Sequence, residues 1–446
     1  MKLSTNMLRI AAAFCVLLLA LPAAAAPIQK LQTPGGIEAW LVAEPSIPIL
    51  ALELAFRGGG SASDPAGREG LANLVSGLLD EGAGEMKALA FQKRLEELAI
   101  SLDFDSGKDT FRVSLRTLSK HRDEAFRLLG LALTAARFDA QPLERVRNQV
   151  LAGIERRAED PDSIAGRTWF AKAFPDHPYG RPGSGTKESV KAIDREGLKN
   201  FVSTRLARDN VLVAAVGDIA PEELADLLDL ALGDLPARAT ALELRPTKLP
   251  SGGSLTVVRK AIPQSVVSFG LPGIMRHDPD WYAAYVMNYV LGGGGFTSRL
   301  YQEVREKRGL AYSVYTYLYP YQYAAAYLGG VATANARVAD SLALVRSELD
   351  RLAGQGISDQ ELADAKTFLN GSFPLRLDSN SKIAGILISM QLYRLGIDYL
   401  EKRSGYITAV SAGDVRRVAK RLLRSEDLII VVVGDPVGLE TGHSAE

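Results

Sequence analysis

The chain is poor in the residues that most often carry chemistry. Its 446 residues include one cysteine, Cys15, and four histidines, His121, His177, His277 and His443. A single thiol forms no internal disulfide and no cysteine-ligated metal centre. No two histidines stand at the i, i+3 or i, i+4 spacing that stacks two imidazoles on one helix face, so a helical zinc motif has no ligands here. Charge is balanced, with 52 basic and 52 acidic residues, which gives no reason to expect a nucleic acid or an anionic membrane as partner. Two further absences exclude enzyme classes. The fragment Gly183-Ser184-Gly185 lacks the strand-turn-helix elbow of a serine hydrolase, and the glycine run at Gly292 is not followed by the Lys-Ser or Lys-Thr of a phosphate loop.

One long apolar run is present, and it lies at the start. Lys2 and Arg9 precede the apolar stretch Ile10 to Leu21, which ends in Ala23-Ala24-Ala25. This is the pattern of a secretory signal peptide over residues 1–25, and it predicts export, most simply to a periplasm. Its removal takes Cys15 with it and leaves 50 basic against 52 acidic residues. No later run is long enough to span a bilayer.

The remaining chain, about 420 residues, is long enough for two domains. An internal duplication locates them. Val211 to Asp218, VLVAAVGD, returns as LIIVVVGD at Leu428 to Asp435, 217 residues on. Upstream, NQVLAGIERRAEDPDSIAG from Asn148 parallels KTFLNGSFPLRLDSNSKIAG from Lys366, so that Gly153 falls opposite Gly371. Two pairs in the same order at nearly one offset predict homologous halves at 26–237 and 254–446, joined by a Pro- and Gly-containing linker at 238–253. Hydrophobic periodicity places strands at Ile49 to Phe56 and Thr110 to Leu118. It predicts helices at Gly67 to Leu79, Met86 to Ala99, Lys120 to Ala136, Gln141 to Ala158, Ile164 to Phe174 and Lys187 to Ala207. The second half repeats the order. The fold class is α+β, two halves that are each a mostly antiparallel sheet covered by helices.

The densest chemistry lies between Leu291 and Leu318. Four glycines, Gly292, Gly293, Gly294 and Gly295, give a loop free to adopt positive φ or to lie against another chain. Thr297 or Ser298 is placed to cap a helix whose apolar face is Leu300, Tyr301 and Val304, and Gly309 suits its C-terminal stop. Arg305 sits in the last helical turn. Beyond Gly309 the period becomes two, with Tyr312, Val314, Thr316 and Leu318 on one strand face and Ser313, Tyr315, Tyr317 and Tyr319 on the other.

This segment, with Arg305, Gly309 and Tyr312 in an R-x-x-x-G-x-x-Y setting, resembles the C-terminal half of the insulinase-like zinc peptidases, the group of pitrilysin and the mitochondrial processing peptidase. The resemblance implies a clamshell-like pair of halves, in which the Arg and Tyr reach toward a peptide in a partner's active site. It also implies an H-x-x-E-H zinc motif on the first helix of the N-terminal half and a glutamate further on. At those positions stand Asn73, Leu74, Val75, Ser76 and Gly77, and, for the distal glutamate, Gly153, with Glu155 nearby. Both histidines, the general base and the distal ligand are therefore absent. The expectation is a chain that is inactive alone and holds no metal or other cofactor. Paired with an exported H-x-x-E-H homologue that carries the zinc, it would contribute Arg305, Tyr312 and the glycine loop to a heterodimeric peptidase acting on peptides or unfolded polypeptides. The alternative is a purely structural homologue, like the core proteins of the respiratory bc₁ complex, without a role in peptide chemistry.

Overall fold

The computed structural model describes residues 27–240 and 244–439. The expected export signal with Cys15, three residues of the expected linker (241–243) and His443 lie outside the described residues. In chain order the strands are β1 (Gln29–Gln32), β2 (Glu38–Ala43), β3 (Ile49–Arg57), the two-residue pair β4 (Gly82–Ala83) and β5 (Met86–Lys87), β6 (Ser101–Ser106), β7 (Thr110–Leu118), β8 (Val211–Gly217), β9 (Ser254–Arg259), β10 (Gln264–Pro272), β11 (Ala311–Pro320), β12 (Ala325–Ala334) and β13 (Ile429–Gly434).

Two main sheets result, ordered β1-β2-β8-β3-β7-β6 and β11-β12-β10-β13-β9. The repeated Gly-Asp strands take the same seat in each. β8 runs parallel to β2 and antiparallel to β3, and β13 runs parallel to β9 and antiparallel to β10. From that seat both sheets continue outward antiparallel, through β3-β7-β6 in one and β10-β12-β11 in the other. The free edges β6 and β11 are therefore equivalent positions. The fold is α+β with mostly antiparallel sheets, as the alternating patterns and the duplication predict.

One face of each sheet is buried under helices of its own half. The first core gathers Phe56, Phe91, Phe111, Phe126 and Leu129, and the second gathers Phe269, Leu291, Leu300, Val345 and Leu349. The opposite faces are covered by exchange. The helix Pro161–Ala173 of the N-terminal half lies across β10 and β13, where Trp169 is buried and its indole N–H donates to the Ile429 carbonyl at 3.0 Å. The helix Asn380–Leu392 of the C-terminal half lies across β3 and β8, where the Gln391 amide donates to the Val213 carbonyl at 2.8 Å. Burying a side chain the size of Trp169 contributes roughly 2–3 kcal/mol. The two halves are thus fastened by two apolar layers rather than by a linker alone.

Several elements depart from the sequence expectation for local reasons. The first helix spans only Leu71–Ser76 because Gly70, at φ 92°, opens it and the buried Asp64 carboxylate accepts from the Gly70 and Ala72 amides at 3.0 and 3.2 Å. The stretch expected as one helix from Lys187 breaks into Lys187–Ala192 and Arg195–Arg205, because Asp194 accepts from the Gly197 amide at 2.8 Å and starts a new helix. β1, β2 and β6 were not expected. Among the described residues no helix is long and apolar enough to cross a membrane.

Candidate functional site

The site-bearing segment begins where the helix Trp281–Asn288 widens into a π-helical turn at Tyr289–Gly293. A 3₁₀ turn follows at Gly295–Thr297, and the helix resumed at Arg299 widens again over Tyr301–Glu306. Two π segments flanking one loop are uncommon, and such widenings concentrate at functional sites. Neither Thr297 nor Ser298 caps the helix with its side chain. Their hydroxyls donate backward, to the Gly294 carbonyl at 3.0 Å and the Gly295 carbonyl at 2.8 Å, which closes the 3₁₀ turn instead.

The four glycines answer two different demands. A Cβ on Gly292 would lie 2.5 Å from Thr316 Oγ1, on Gly293 2.3 Å from Asn288 Nδ2, and on Gly294 2.6 Å from the Tyr289 carbonyl oxygen. These three let the loop lie directly on β11 and on the preceding helix. Gly295 has open space around it but a φ of 58°, which a side chain disfavours. Beneath Gly292, Thr316 donates to Asn288 Oδ1 at 2.9 Å and accepts from the Tyr327 hydroxyl at 2.8 Å. Gly292 is buried, and Gly293 and Gly295 are the exposed members of the run.

Leu300, Tyr301 and Val304 are buried as their spacing predicts, which turns Arg305 outward. Gly309, at φ 58°, ends the helix: its amide donates to the Arg305 carbonyl at 2.8 Å and that of Leu310 to the Val304 carbonyl at 2.9 Å. The alternation expected for β11 then slips by one residue. Ala311 pairs with Thr333 and Ser313 with Ala332, so Tyr312 is an extra residue in a β-bulge, and Ala311 rather than Tyr312 joins Val314 and Thr316 on the core side. Tyr312 is consequently 75% exposed. Its ring centroid lies 5.2 Å from the Arg305 guanidinium, which also sits 4.8 Å from the ring centre of Tyr301. Tyr301 in turn meets Phe296 edge-on at 4.9 Å, which links the pair to the glycine loop.

Electrostatics single out Arg305. Its neighbours Lys307 and Arg308 both pair with Glu303, whose carboxylate accepts from them at 2.7 and 2.5 Å. Hydrogen bonds from Lys307 and then Arg308 hold Glu303 down to about 2. Arg305 has no carboxylate within 4 Å among the described residues. A shallow cavity of about 450 Å³ is lined by Arg305, Tyr312, Gly309, Gln264, Ala332 and Thr333 among others, all from the C-terminal half. A guanidinium presenting a planar fork of donors beside a phenol O–H is suited to a peptide carbonyl and to a developing oxyanion. Beyond Tyr312, the outward tyrosines expected from the alternation form a ladder, Tyr315 to Tyr317 at 6.1 Å and Tyr317 to Tyr319 at 5.9 Å, which ends on the buried Tyr321, 4.6 Å from Tyr319. The part of Tyr301 as the second ring on Arg305 was missed in the sequence, where it reads only as a core position.

The N-terminal positions expected for a metal form no comparable site. The Ser76 hydroxyl donates to the Asn73 carbonyl at 2.9 Å, and Gly77 closes the helix with the Cβ direction 3.0 Å from Val146. Gly153 is buried, and the Arg157 guanidinium folds to within 3.3 Å of where its Cβ would be. Glu155 pairs with Lys187 at 3.0 Å. His177 is engaged with backbone, accepting from the Tyr179 amide at 3.2 Å and facing the Arg245 carbonyl at 3.2 Å. Among the described residues no three His, Cys, Asp or Glu side chains are grouped to hold a metal ion. A zinc ion does not fit here, since the donors are an amide, a hydroxyl and two glycines, and a cation already lies over Gly153.

Residues 192–369 match the family model described as the peptidase M16 inactive domain. A non-peptidase homolog, YmxG, of Helicobacter pylori is 32% identical over 390 residues, covering 87% of this chain and 90% of that protein. An uncharacterized zinc protease of Streptomyces coelicolor is 26% identical over 419 residues, covering 91% and 89%. The crystal structure of a peptidase M16 inactive domain from Pseudomonas fluorescens superposes with a TM-score of 0.86 at 30% identity, covering 94% of this chain and 100% of that one. With its duplicated sheets, its Arg-Tyr segment and these likenesses, the chain belongs to the M16 family of insulinase-like peptidases, in which it matches the inactive-domain type.

Proposed function

We propose that this chain is the non-catalytic, substrate-binding subunit of a heterodimeric exported zinc metallopeptidase. The partner is an M16 homologue bearing H-x-x-E-H, which supplies the zinc and the general base. This chain supplies Arg305 and Tyr312, with Gly293 and Gly295 of the glycine loop alongside. The observation that carries the reading is the state of Arg305. It is held between two tyrosine rings, is without a carboxylate partner among the described residues, and opens on a cavity to which the N-terminal half contributes no lining residue. An arginine left free in that way is available to a ligand from outside the chain. The extended peptide would lie against that surface, its carbonyl on Arg305 and the tetrahedral oxyanion on Tyr312. Export rests on the Lys2, Arg9 and Ala23-Ala24-Ala25 pattern, and the compartment is the periplasm.

The test is assembly. The tagged chain purified from its host should bring down an H-x-x-E-H homologue, and the two co-expressed should sediment as a one-to-one, zinc-containing species that cleaves peptides. Two monomers at micromolar concentration, or a complex whose peptidase rate equals that of the partner alone, would refute the assignment.

A further inference from the structure

A second cavity, of about 390 Å³, lies in the N-terminal half beside Gly153. Four separate stretches bring cations to it. Lys108 comes from the β6–β7 turn, Arg157 from the helix Ala140–Glu159, Arg167 from the helix Pro161–Ala173, and Arg181 and Lys187 from the loop and helix start that follow. No Asp or Glu lines it. Of the five cations only Lys187 has a carboxylate within 4 Å among the described residues, Glu155 at 3.0 Å. The turn Gly183 to Thr186, which fits no hydrolase motif, closes one side with its hydroxyls and backbone, and Ile154, Phe170 and Pro182 form an apolar wall.

Gathering like charges around a concavity costs free energy unless an anion offsets it. Burial pushes the Lys108 ammonium down to about 8 against the opposing pull of the Asp64 and Asp109 carboxylates, and its Nζ donates to the Arg181 carbonyl, so a cation is held here in a poorly solvated place. The charge at this place is reversed relative to a metal site: where a zinc ligand would present a carboxylate to a cation, Arg157 covers Gly153 and presents a cation to the cavity.

We propose that this pocket binds an oxyanion-bearing ligand, and that its apolar wall selects the C-terminal carboxylate of a peptide over a free inorganic ion. The choice of a peptide rests on the substrate-binding reading above, whereas the oxyanion chemistry does not. Guanidinium groups from two helices can take a carboxylate by a planar, charge-assisted fork, and the residue bearing it would rest on Phe170 and Ile154.

The experiment is calorimetric titration of the mature chain alone with three probes: a pentapeptide with a free C-terminal carboxylate, the same peptide amidated, and inorganic phosphate. The free-carboxylate peptide should bind, weaken several-fold between 50 and about 200 mM salt, and exceed the amide at least about tenfold. Arg157→Ala with Arg167→Ala should lower its affinity by about tenfold or more, and Arg157→Lys with Arg167→Lys should retain part of it, the fold being checked by circular dichroism. Phosphate binding without preference for the free-carboxylate peptide would overturn the peptide assignment and leave a small-oxyanion site. Equal binding of acid and amide without phosphate binding, unchanged affinity in a folded double Ala variant, or no binding of any probe would overturn the site itself. Because the chain is assayed without a partner, these outcomes are independent of whether the heterodimer forms.

Discussion

The Arg305 guanidinium lies 5.2 Å from the ring centre of Tyr312 and 4.8 Å from that of Tyr301, so one cation is shared by a buried and an exposed tyrosine. The buried ring fixes the guanidinium and the exposed one borders it. Exchange of Tyr312 for Phe keeps the aromatic face and removes only the hydroxyl. In the proposed heterodimer, where Tyr312 would donate to the oxyanion, Tyr312→Phe should lower kcat by about 10²- to 10³-fold with zinc content unchanged, the cost of one preorganised donor. Arg305→Lys should also impair turnover, since an ammonium does not reproduce the fork. Steady-state kinetics of wild-type partner with each variant decides it, and full activity of an assembled Arg305→Ala, Tyr312→Phe double variant would support a purely structural subunit.

Metal analysis of the isolated mature chain should find no stoichiometric zinc. Moreover, the four changes Asn73→His, Ser76→Glu, Gly77→His and Gly153→Glu should not restore a tight site. Val146 stands 3.0 Å from the Gly77 Cβ direction and Arg157 3.3 Å from that of Gly153. Elemental analysis of both proteins after dialysis is the measurement, and one tightly held zinc per wild-type chain would refute it.

The glycines of the loop should separate by substitution. Gly292→Ala forces a methyl to within 2.5 Å of Thr316 Oγ1 in a buried network and should cost about 1–3 kcal/mol of stability. Gly295→Ala meets no atom within 4 Å and carries only the strain of φ 58°, about 1 kcal/mol. Denaturant midpoints compared at unchanged slope give both values.

Acid should release the clamp on the helix that carries Arg305. Glu303 falls from 4.5 to about 2 in the folded chain, so its contribution is complete above about pH 4.5 and is lost as pH falls through about 2. Because Lys307 and Arg308 are about half exposed, screening limits the contribution to about 1 kcal/mol or less. Glu303→Gln should therefore be less stable than wild type at pH 6, with the gap narrowing toward pH 2.5. A gap that widens on acidification would contradict the ion-pair assignment.

What the sequence made legible follows the strength of periodicity. β7 spans the predicted Thr110 to Leu118 because its apolar and polar residues alternate from Thr110 to Arg116, and the buried run of β8 reads equally well. β6 was missed because this edge strand, with Ser101, Asp103, Asp105 and Ser106, is polar at four of its six positions, although Leu102 and Phe104 kept the period. The bulge at Tyr312 left no trace in composition, since one extra residue alters register without altering propensity. The π-helical widening at Tyr301 was also hidden, because Leu300, Tyr301 and Val304 fit an ordinary helical face. The basic pocket was illegible for another reason: its cations come from stretches up to 79 residues apart and never form a run.

The helices Pro161–Ala173 and Asn380–Leu392 occupy equivalent places in the repeat, as Ile164-Ala165-Gly166 and Ile383-Ala384-Gly385 show, yet each covers the sheet of the other half. The polypeptide is thus built like a domain-swapped dimer joined into a single chain. Either half made alone would leave β10 and β13, or β3 and β8, bare on one face, an open apolar sheet that invites self-association. A single half could gain such a cover from a second copy of itself.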